Sequence, residues 1–401
     1  AFLKKNRNRV QGLVLTHGHM DHIGAVWALL PQLRCPLYTT SFTADLLSAR
    51  SGGEDFPFHL VRRISPLVDM DIGNFSIRLI PVPHSIPSAH ALAITTRYGR
   101  VLHSGDWKYD LGPVLGEPIN PSYFKHEGDK GVLAYIGDST NAEKEGFSGS
   151  EGEVSHGLLK EFQDCSGKIV VATFSSHVGR MISIARAAES CGRSVFLAGR
   201  SLKNIADIAA AHGFLDDLSR FITRNDLLWI MDQKILMIVT GSQGEPGSVL
   251  ARIASGSHPF IRLEEKDTVL FSSRVIPGSE EHVAKVIADL HSLGVRVVTP
   301  ADTNNVIYVS GHPCREEIRR MYEWLRPRIV IPVHGERRQL EAQADFARAS
   351  GVPEVIVPCD GAVIHLAPGA PGIVANAGSR VGGNVVAPED YGVPTHPAAS
   401  L

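Results

Sequence analysis

Long apolar runs are missing from this 401-residue chain. None approaches the roughly 20 residues that a bilayer-spanning helix needs. The basic opening "AFLKKNRNRV" has no apolar region behind it, which argues against a signal peptide. It also lacks an initiator Met and runs at once into a strand pattern, so the natural amino terminus is expected to be missing. Cysteine is scarce: Cys35, Cys165, Cys191, Cys314 and Cys359 are scattered, with no C-x-x-C pair. Such a set argues against a disulfide framework and fits a reducing, cytoplasmic setting. Net charge is nearly absent at -2, so an acidic partner must be met by a local basic surface rather than by the whole molecule. What remains is ordinary globular composition, 43% hydrophobic and 20% charged, long enough for two or three domains.

Strand and helix patterns alternate almost from end to end. "VQGLVLT" reads as a buried strand, "HIGAVWALLPQL" as a short helix stopped near Pro31, and "PLYTT" as another strand. "FSIRLIPVPH" and "ALAITTRYGRVLHSGD" alternate with period two, with "RYGR" as a hairpin turn. From about Gly149 helix and strand repeat in turn, the pattern of a parallel α/β unit. Near Asp267 strands resume with "TVLFSSRVI". A helix follows, with Ser279 as its expected cap and Val283, Val286, Ile287 and Leu290 on one face. "NNVIYVSGH", "IVIPVHGE" and "EVIVPCDGAVIHL" read as three more strand-and-turn units. The chain after Pro368 is rich in Gly, Ala and Pro without periodicity, which predicts a linker or disorder.

The chemistry concentrates in "THGHMDHIGA", where three histidines and an aspartate fall within six residues at the end of a strand. Imidazole and carboxylate are the usual ligands of zinc and similar metals. On such a turn His17 and His19 can converge on one point, while Asp21 and His22 reach a neighbouring one. Further donors stand at later strand ends: His84 and His90 in "PVPHSIPSAH", His103 and Asp106 in "VLHSGD", His312 in "IYVSGH" and His334 in "IPVHGE". Each alone reads best as an ordinary buried or surface residue; their shared position is what marks them.

Taken together, these stretches resemble the metallo-β-lactamase-fold hydrolases, and among them the β-CASP nucleases of the bacterial ribonuclease J type. The resemblance rests on "THGHMDHIGA", "HSIP", "LHSGDWKYD", "GDSTNAE", "TGSQGEPGSVLARIA", "SSRVIPGSE", "VSGH" and "IPVHGE", in family order from about Leu13 to Leu366. It implies an α/β protein, a metallo-β-lactamase αββα sandwich with an inserted parallel α/β β-CASP domain. The expected division is residues 1–148 for the first part of the sandwich, 149–266 for the insertion, 267–367 for the second part, and 368–401 for the tail. The resemblance further implies one metal held by His17, His19 and His84, a second by Asp21, His22 and His334, and Asp106 bridging them. Asp138 would orient a ligating histidine, and His312 would donate to the scissile phosphate or the leaving oxygen. His90 and His103 are then left as outer or surface residues.

Substrate would be gripped by Tyr308, Val309, Ser310, Gly311 and His312, and an anion by the turn at Ser175, Ser176 and His177. "TGSQGEPG" reads equally as a phosphate-facing nest or a tight glycine turn. Three positions depart from the family pattern: Met20 stands for an acidic residue, His177 for Asn and Tyr308 for His. The family's first strands and carboxy-terminal domain are not represented. The implied activity is metal-dependent hydrolysis of RNA, both 5′-to-3′ exonucleolytic and endonucleolytic, in mRNA decay and rRNA maturation. Two Zn2+ ions, or Mn2+ or Mg2+, would serve it, with 5′-monophosphorylated single strands as substrate and a homodimer or homotetramer as the full-length assembly. Rival readings are a β-CASP nuclease acting on DNA, a small-molecule hydrolase on the same fold, and a non-catalytic RNA-binding scaffold.

Overall fold

The computed structural model describes residue 3, residues 6–50 and residues 56–376. A seven-stranded mixed sheet runs, in spatial order, Glu354–Val355, Ile329–Val333, Ala134–Asp138, Gly99–His103, His90–Thr96, Phe75–Pro81 and Asp69–Ile72. Its first four strands are mutually parallel and the rest antiparallel. Period-two alternation sends Ile80, Ala91, Ala93 and Leu102 to one face, where Phe124, Ile318, Met321 and Leu325 of two helices cover them. Ile77, Leu79 and Leu92 point to the other face and pack with Val14 and Tyr38 of a second sheet. That sheet is three parallel strands, Leu13–Val14, Leu37–Thr39 and Val61–Arg63, backed in turn by the helices Val26–Leu33 and Ser41–Arg50. The order helix, sheet, sheet, helix is the expected αββα sandwich.

The insertion is built on a five-stranded all-parallel sheet in the order Ser194–Ala198, Ile235–Val239, Ile169–Ala172, Thr268–Phe271 and Arg296–Val298. Both faces are buried. Ile169, Val171, Leu236 and Ile238 join one core, and Val170, Ala172, Met237 and Val239 the other. Such two-sided burial explains why these strands read as unbroken apolar runs.

Several local expectations are corrected. Strands Thr268–Phe271 and Arg296–Val298 pair within the five-stranded sheet, so the chain returns to the seven-stranded sheet after residue 298 rather than at 267. Pro31 lies inside the helix Val26–Leu33 instead of stopping it; the helix closes three residues later at Arg34, which is left-handed with φ 52°. Ser279 precedes the helix Glu280–Ser292 but makes no capping hydrogen bond through its side chain. "NNVIYVSGH" forms no strand, because its backbone is held by side chains of other elements; the Ser272 hydroxyl, for instance, donates to the Ile307 carbonyl at 2.6 Å. Within the expected tail, Gly372–Asn376 pairs as a strand with Ala362–His365, and the tail from residue 377 lies outside the described residues.

Candidate metal centre

The seven-stranded sheet delivers its polar residues at strand ends on one edge. His84 follows Phe75–Pro81, Asp106 follows Gly99–His103, Asp138 closes Ala134–Asp138, and His334 follows Ile329–Val333. From the facing sheet, the turn after Leu13–Val14 brings His17 and His19, and the four-residue helix Met20–Ile23 carries Asp21 and His22. Two backbone features make the approach possible. Gly105 has φ +57°, and a Cβ there would stand 2.7 Å from the His90 carbonyl. That close approach is compatible only with glycine. His334 takes φ 58°, unusual for a residue with a side chain, and the Thr140 hydroxyl braces it at both Nδ1 (2.9 Å) and its own carbonyl (3.1 Å).

All seven expected ligands come together. His17, His19, His84 and Asp106 form one group, and Asp21, His22, Asp106 and His334 an adjoining one, with donor atoms in each group within 4.8 Å of one another. Asp106 is common to both. A third overlapping group contains Asp106, Asp138, His312 and His334. Donor separations include His17 Nε2 to His19 Nδ1 at 3.1 Å, His84 Nε2 to His19 Nδ1 at 3.0 Å, and His334 Nε2 to Asp21 Oδ2 at 3.2 Å. Asp106 Oδ2 stands 3.6 Å from His17, 3.2 Å from His22, 3.8 Å from His84 and 3.5 Å from His334. Zinc bonds of 2.0–2.1 Å in a tetrahedron put neighbouring donors about 3.3 Å apart, so this spacing suits a shared central cation.

Three further observations fit the same group. The opposite ring nitrogens of three histidines are already engaged: His17 Nδ1 with the Thr16 hydroxyl (3.0 Å), His84 Nδ1 with the Gly311 carbonyl (2.7 Å) and His334 Nδ1 with Thr140. That is how ligating imidazoles are aimed. His22 Nε2 is buried with no well-directed hydrogen bond, although Asp106 lies near it. Among the described residues, no Lys or Arg is in ion-pair contact with Asp21, Asp106 or Asp138; their only charged partners are histidines. Asp106 and Asp138 are buried, and buried carboxylates need a counter-charge.

The electrostatics point the same way. Burial and the neighbouring imidazoles hold His17 and His84 well below the ordinary histidine range, and burial takes His19 down to about 4. These rings are neutral at pH 7, the form that ligates metal. Burial also pulls on His334, but the Asp138 and Asp21 carboxylates outweigh it and push that ring up to about 11. To ligate a metal, His334 would have to give up the Nε2 proton that these carboxylates now hold.

Asp138 is fully buried. Its Oδ2 lies 2.7 Å from His312 Nδ1, and its Oδ1 accepts from the Thr140 hydroxyl at 2.7 Å. The His312 ring stacks on His334 at 5.4 Å and meets His84 edge-on at 5.2 Å. Ser310 accepts from Asn141 Nδ2 at 2.8 Å, and Gly311 is the residue whose carbonyl orients His84. Tyr308 and Val309 sit farther back, around Arg180: the Tyr308 ring lies 5.4 Å from the guanidinium carbon, and the Val309 carbonyl 3.5 Å from Nη2. His90 and His103 fall outside the ligand groups, with His90 Nδ1 on the Ser88 carbonyl and His103 Nδ1 accepting from the Gly105 N–H.

His177 requires correction. Its Nδ1 accepts from the Arg180 N–H at 3.0 Å and caps its own helix, while Nε2 lies 3.2 Å from Glu151. Its backbone N–H donates to the Phe174 carbonyl. Neither ring nor N–H is open to an anion: the N–H is taken by Phe174, and the ring serves a buried cluster in which Arg180 donates twice to Glu151 and twice to Ser272. Ser175 and Ser176 remain half-buried in the turn. Thr140 and Asn141, both inside "GDSTN", are further residues of the site; their signal in the sequence is a hydroxyl and an amide two and three residues after Asp138.

Comparison with known proteins agrees with this architecture. Residues 1–144 match the metallo-β-lactamase superfamily, 166–290 the ribonuclease J β-CASP domain, and 296–358 the Zn-dependent metallo-hydrolase RNA specificity domain. Ribonuclease J of Sinorhizobium meliloti is 40% identical over 378 residues, covering 94% of this chain and 67% of that protein. Ribonuclease J of Thermus thermophilus is 35% identical, covering 91% and 65%, and that of Synechocystis 35%, covering 91% and 58%. The chain thus spans between about half and two thirds of the length of the curated relatives it matches. A solved Enterococcus faecalis protein of unknown function shares the fold, with a TM-score of 0.60 at 17% identity over 86% of this chain and 79% of that one. By sequence, by domain order and by the residues gathered at its sheet edge, the chain belongs to the ribonuclease J family.

Proposed function

We propose that this chain is a metal-dependent ribonuclease that hydrolyses RNA phosphodiester bonds with two divalent ions, Zn2+ above Mn2+ or Mg2+. The observation that carries the reading is the pair of ligand groups sharing buried Asp106, with histidines as the only charged partners of their carboxylates among the described residues. His17, His19 and His84 would hold one ion, Asp21, His22 and His334 the other, with Asp106 between them. Two ions bound there would supply Lewis acidity toward a phosphoryl oxygen and make water a usable nucleophile at neutral pH. The chain's own part is orientation and proton handling. Asp138 fixes His312 with its proton on Nδ1 and leaves Nε2 as the nitrogen that can meet substrate. The loop at Ser310 and Gly311 keeps that ring beside the ligands through Asn141 and His84.

The proposed substrate is single-stranded RNA with a 5′-monophosphate, taken in steps from that end or cut internally. With His177 withdrawn, Ser175 and Ser176 are the remaining candidates for the terminal phosphate. Their turn adjoins the His312 loop, since Arg180 in the helix behind it contacts both Ser272 and Val309. Matched 5′-hydroxyl, 5′-monophosphate and 5′-triphosphate RNAs, and the corresponding DNA, test this directly. Mononucleotide release is expected to be fastest from the monophosphate, because a hydroxyl end leaves donors unpaired. Equal rates on all three RNAs would make this an endonuclease, and preference for DNA would overturn the RNA assignment.

A further inference from the structure

Two of the glycine-bearing stretches, "TGSQGEPG" and "SSRVIPGSE", lie outside the metal groups, yet they meet at one arginine. Gln243 is buried, and its side-chain amide clamps the backbone on both sides of the turn carrying Arg274: Nε2 donates to the Arg274 carbonyl at 2.8 Å, and Oε1 accepts from the Ile276 N–H at 2.8 Å. Gly244, next to the clamp, lets this stretch lie against the helix Glu280–Ser292. It has φ +69°, and a Cβ there would lie 2.4 Å from the His282 carbonyl carbon. Fixed in this way, Arg274 Nη1 donates to Asn141 Oδ1 at 3.2 Å. The same Asn141 donates to Ser310 Oγ at 2.8 Å and to the His312 carbonyl at 2.9 Å.

The guanidinium is therefore one residue removed from His312. It is half-buried, and among the described residues no carboxylate forms an ion pair with it. Its charge reaches the neighbouring phenol as well: burial raises Tyr308, and Arg274 is the first of the groups that oppose this. A half-buried cation with no carboxylate paired to it among the described residues, held by a clamp from the insertion and bonded to the Asn141 that holds the His312 loop, suits an anion supplied from outside. Arginine's planar fork is matched to phosphate oxygens.

Resting on the ribonuclease reading above, we propose that Arg274 binds a backbone phosphate of the RNA next to the scissile one, and that Gln243 positions it. "TGSQGEPG" then reads as the tight glycine turn that carries this clamp, not as a phosphate nest.

The 401-residue chain, loaded with metal, should be compared with Arg274→Lys and Arg274→Gln on a 5′-labelled oligoribonucleotide across a salt series. Arg274→Gln is expected to raise KM about tenfold to a hundredfold, the range for a charge-assisted hydrogen bond, with kcat nearly unchanged. The slope of log KM against log salt should fall by about 0.7, the value for one lost phosphate contact on a single strand. Arg274→Lys should keep the parental slope and recover much of the affinity. If Arg274→Gln keeps the parental slope, or if both variants lose kcat alike, Arg274 merely braces Asn141 and the proposal is overturned. A parent chain that neither binds nor cuts this RNA would instead overturn the reading of the site, and this inference with it.

Discussion

Asp106→Ala is expected to lower RNA hydrolysis about a thousandfold or more, since each tenfold loss corresponds to 1.36 kcal/mol and two metals contribute several. No other ligand change should match it. Asp106 Oδ2 lies within 3.8 Å of four different imidazoles, those of His17, His22, His84 and His334. It is also the member common to both ligand groups. His84→Ala or His334→Ala removes a donor from one group, whereas Asp106→Ala removes one from both, along with the buried negative charge that offsets two cations. Bound metal should fall together with rate, while circular dichroism confirms that the sandwich still folds. An Asp106→Ala chain with near-parental metal and rate would show that the bridge has been misplaced.

His312→Ala should separate rate from metal in the opposite way. Its Nδ1 is committed to Asp138 at 2.7 Å, a charge-assisted contact to a fully buried carboxylate. The ring stacks against His334 without being one of the seven convergent ligands. General-acid or charge-stabilising groups of this kind are worth about a hundredfold to ten-thousandfold in rate. The expected outcome is a fall of that size with both metals retained. His312→Ala with one metal lost would place His312 among the ligands, a meaning its presence in the third overlapping group allows. Asp138→Asn should follow His312→Ala in rate if Asp138 acts by orienting that ring.

Much of the centre was legible because its signal is local. His17, His19, Asp21 and His22 fall within six residues, and no packing demand produces that density. His84, Asp106 and His334 were legible for a different reason: each follows an apolar strand, and strand ends on one edge of a sheet converge whatever the loops do. What stayed hidden depends on partners far away in sequence. His177 looked free to greet an anion because Glu151, 26 residues earlier, is joined to it only by the fold. "NNVIYVSGH" has the alternation of a strand, yet Ser272, Asn141 and Arg180 take up its polar groups and leave it outside every sheet. The return from insertion to sandwich was misplaced at 267 because a helix and a parallel strand look alike whichever sheet they join. Arg274 gave no sign of its own, since the amide that aims it lies 31 residues earlier.

The central claim is that this sheet edge holds two cations around Asp106, and metal stoichiometry tests it most directly. The 401-residue chain should be purified gently in zinc- or manganese-supplemented buffer, freed of loosely bound ions, and analysed for metal per folded chain. The account predicts two ions per chain, with loss of RNA hydrolysis on chelation and its return on adding metal back. One ion or none, in a chain that still degrades RNA, would contradict it.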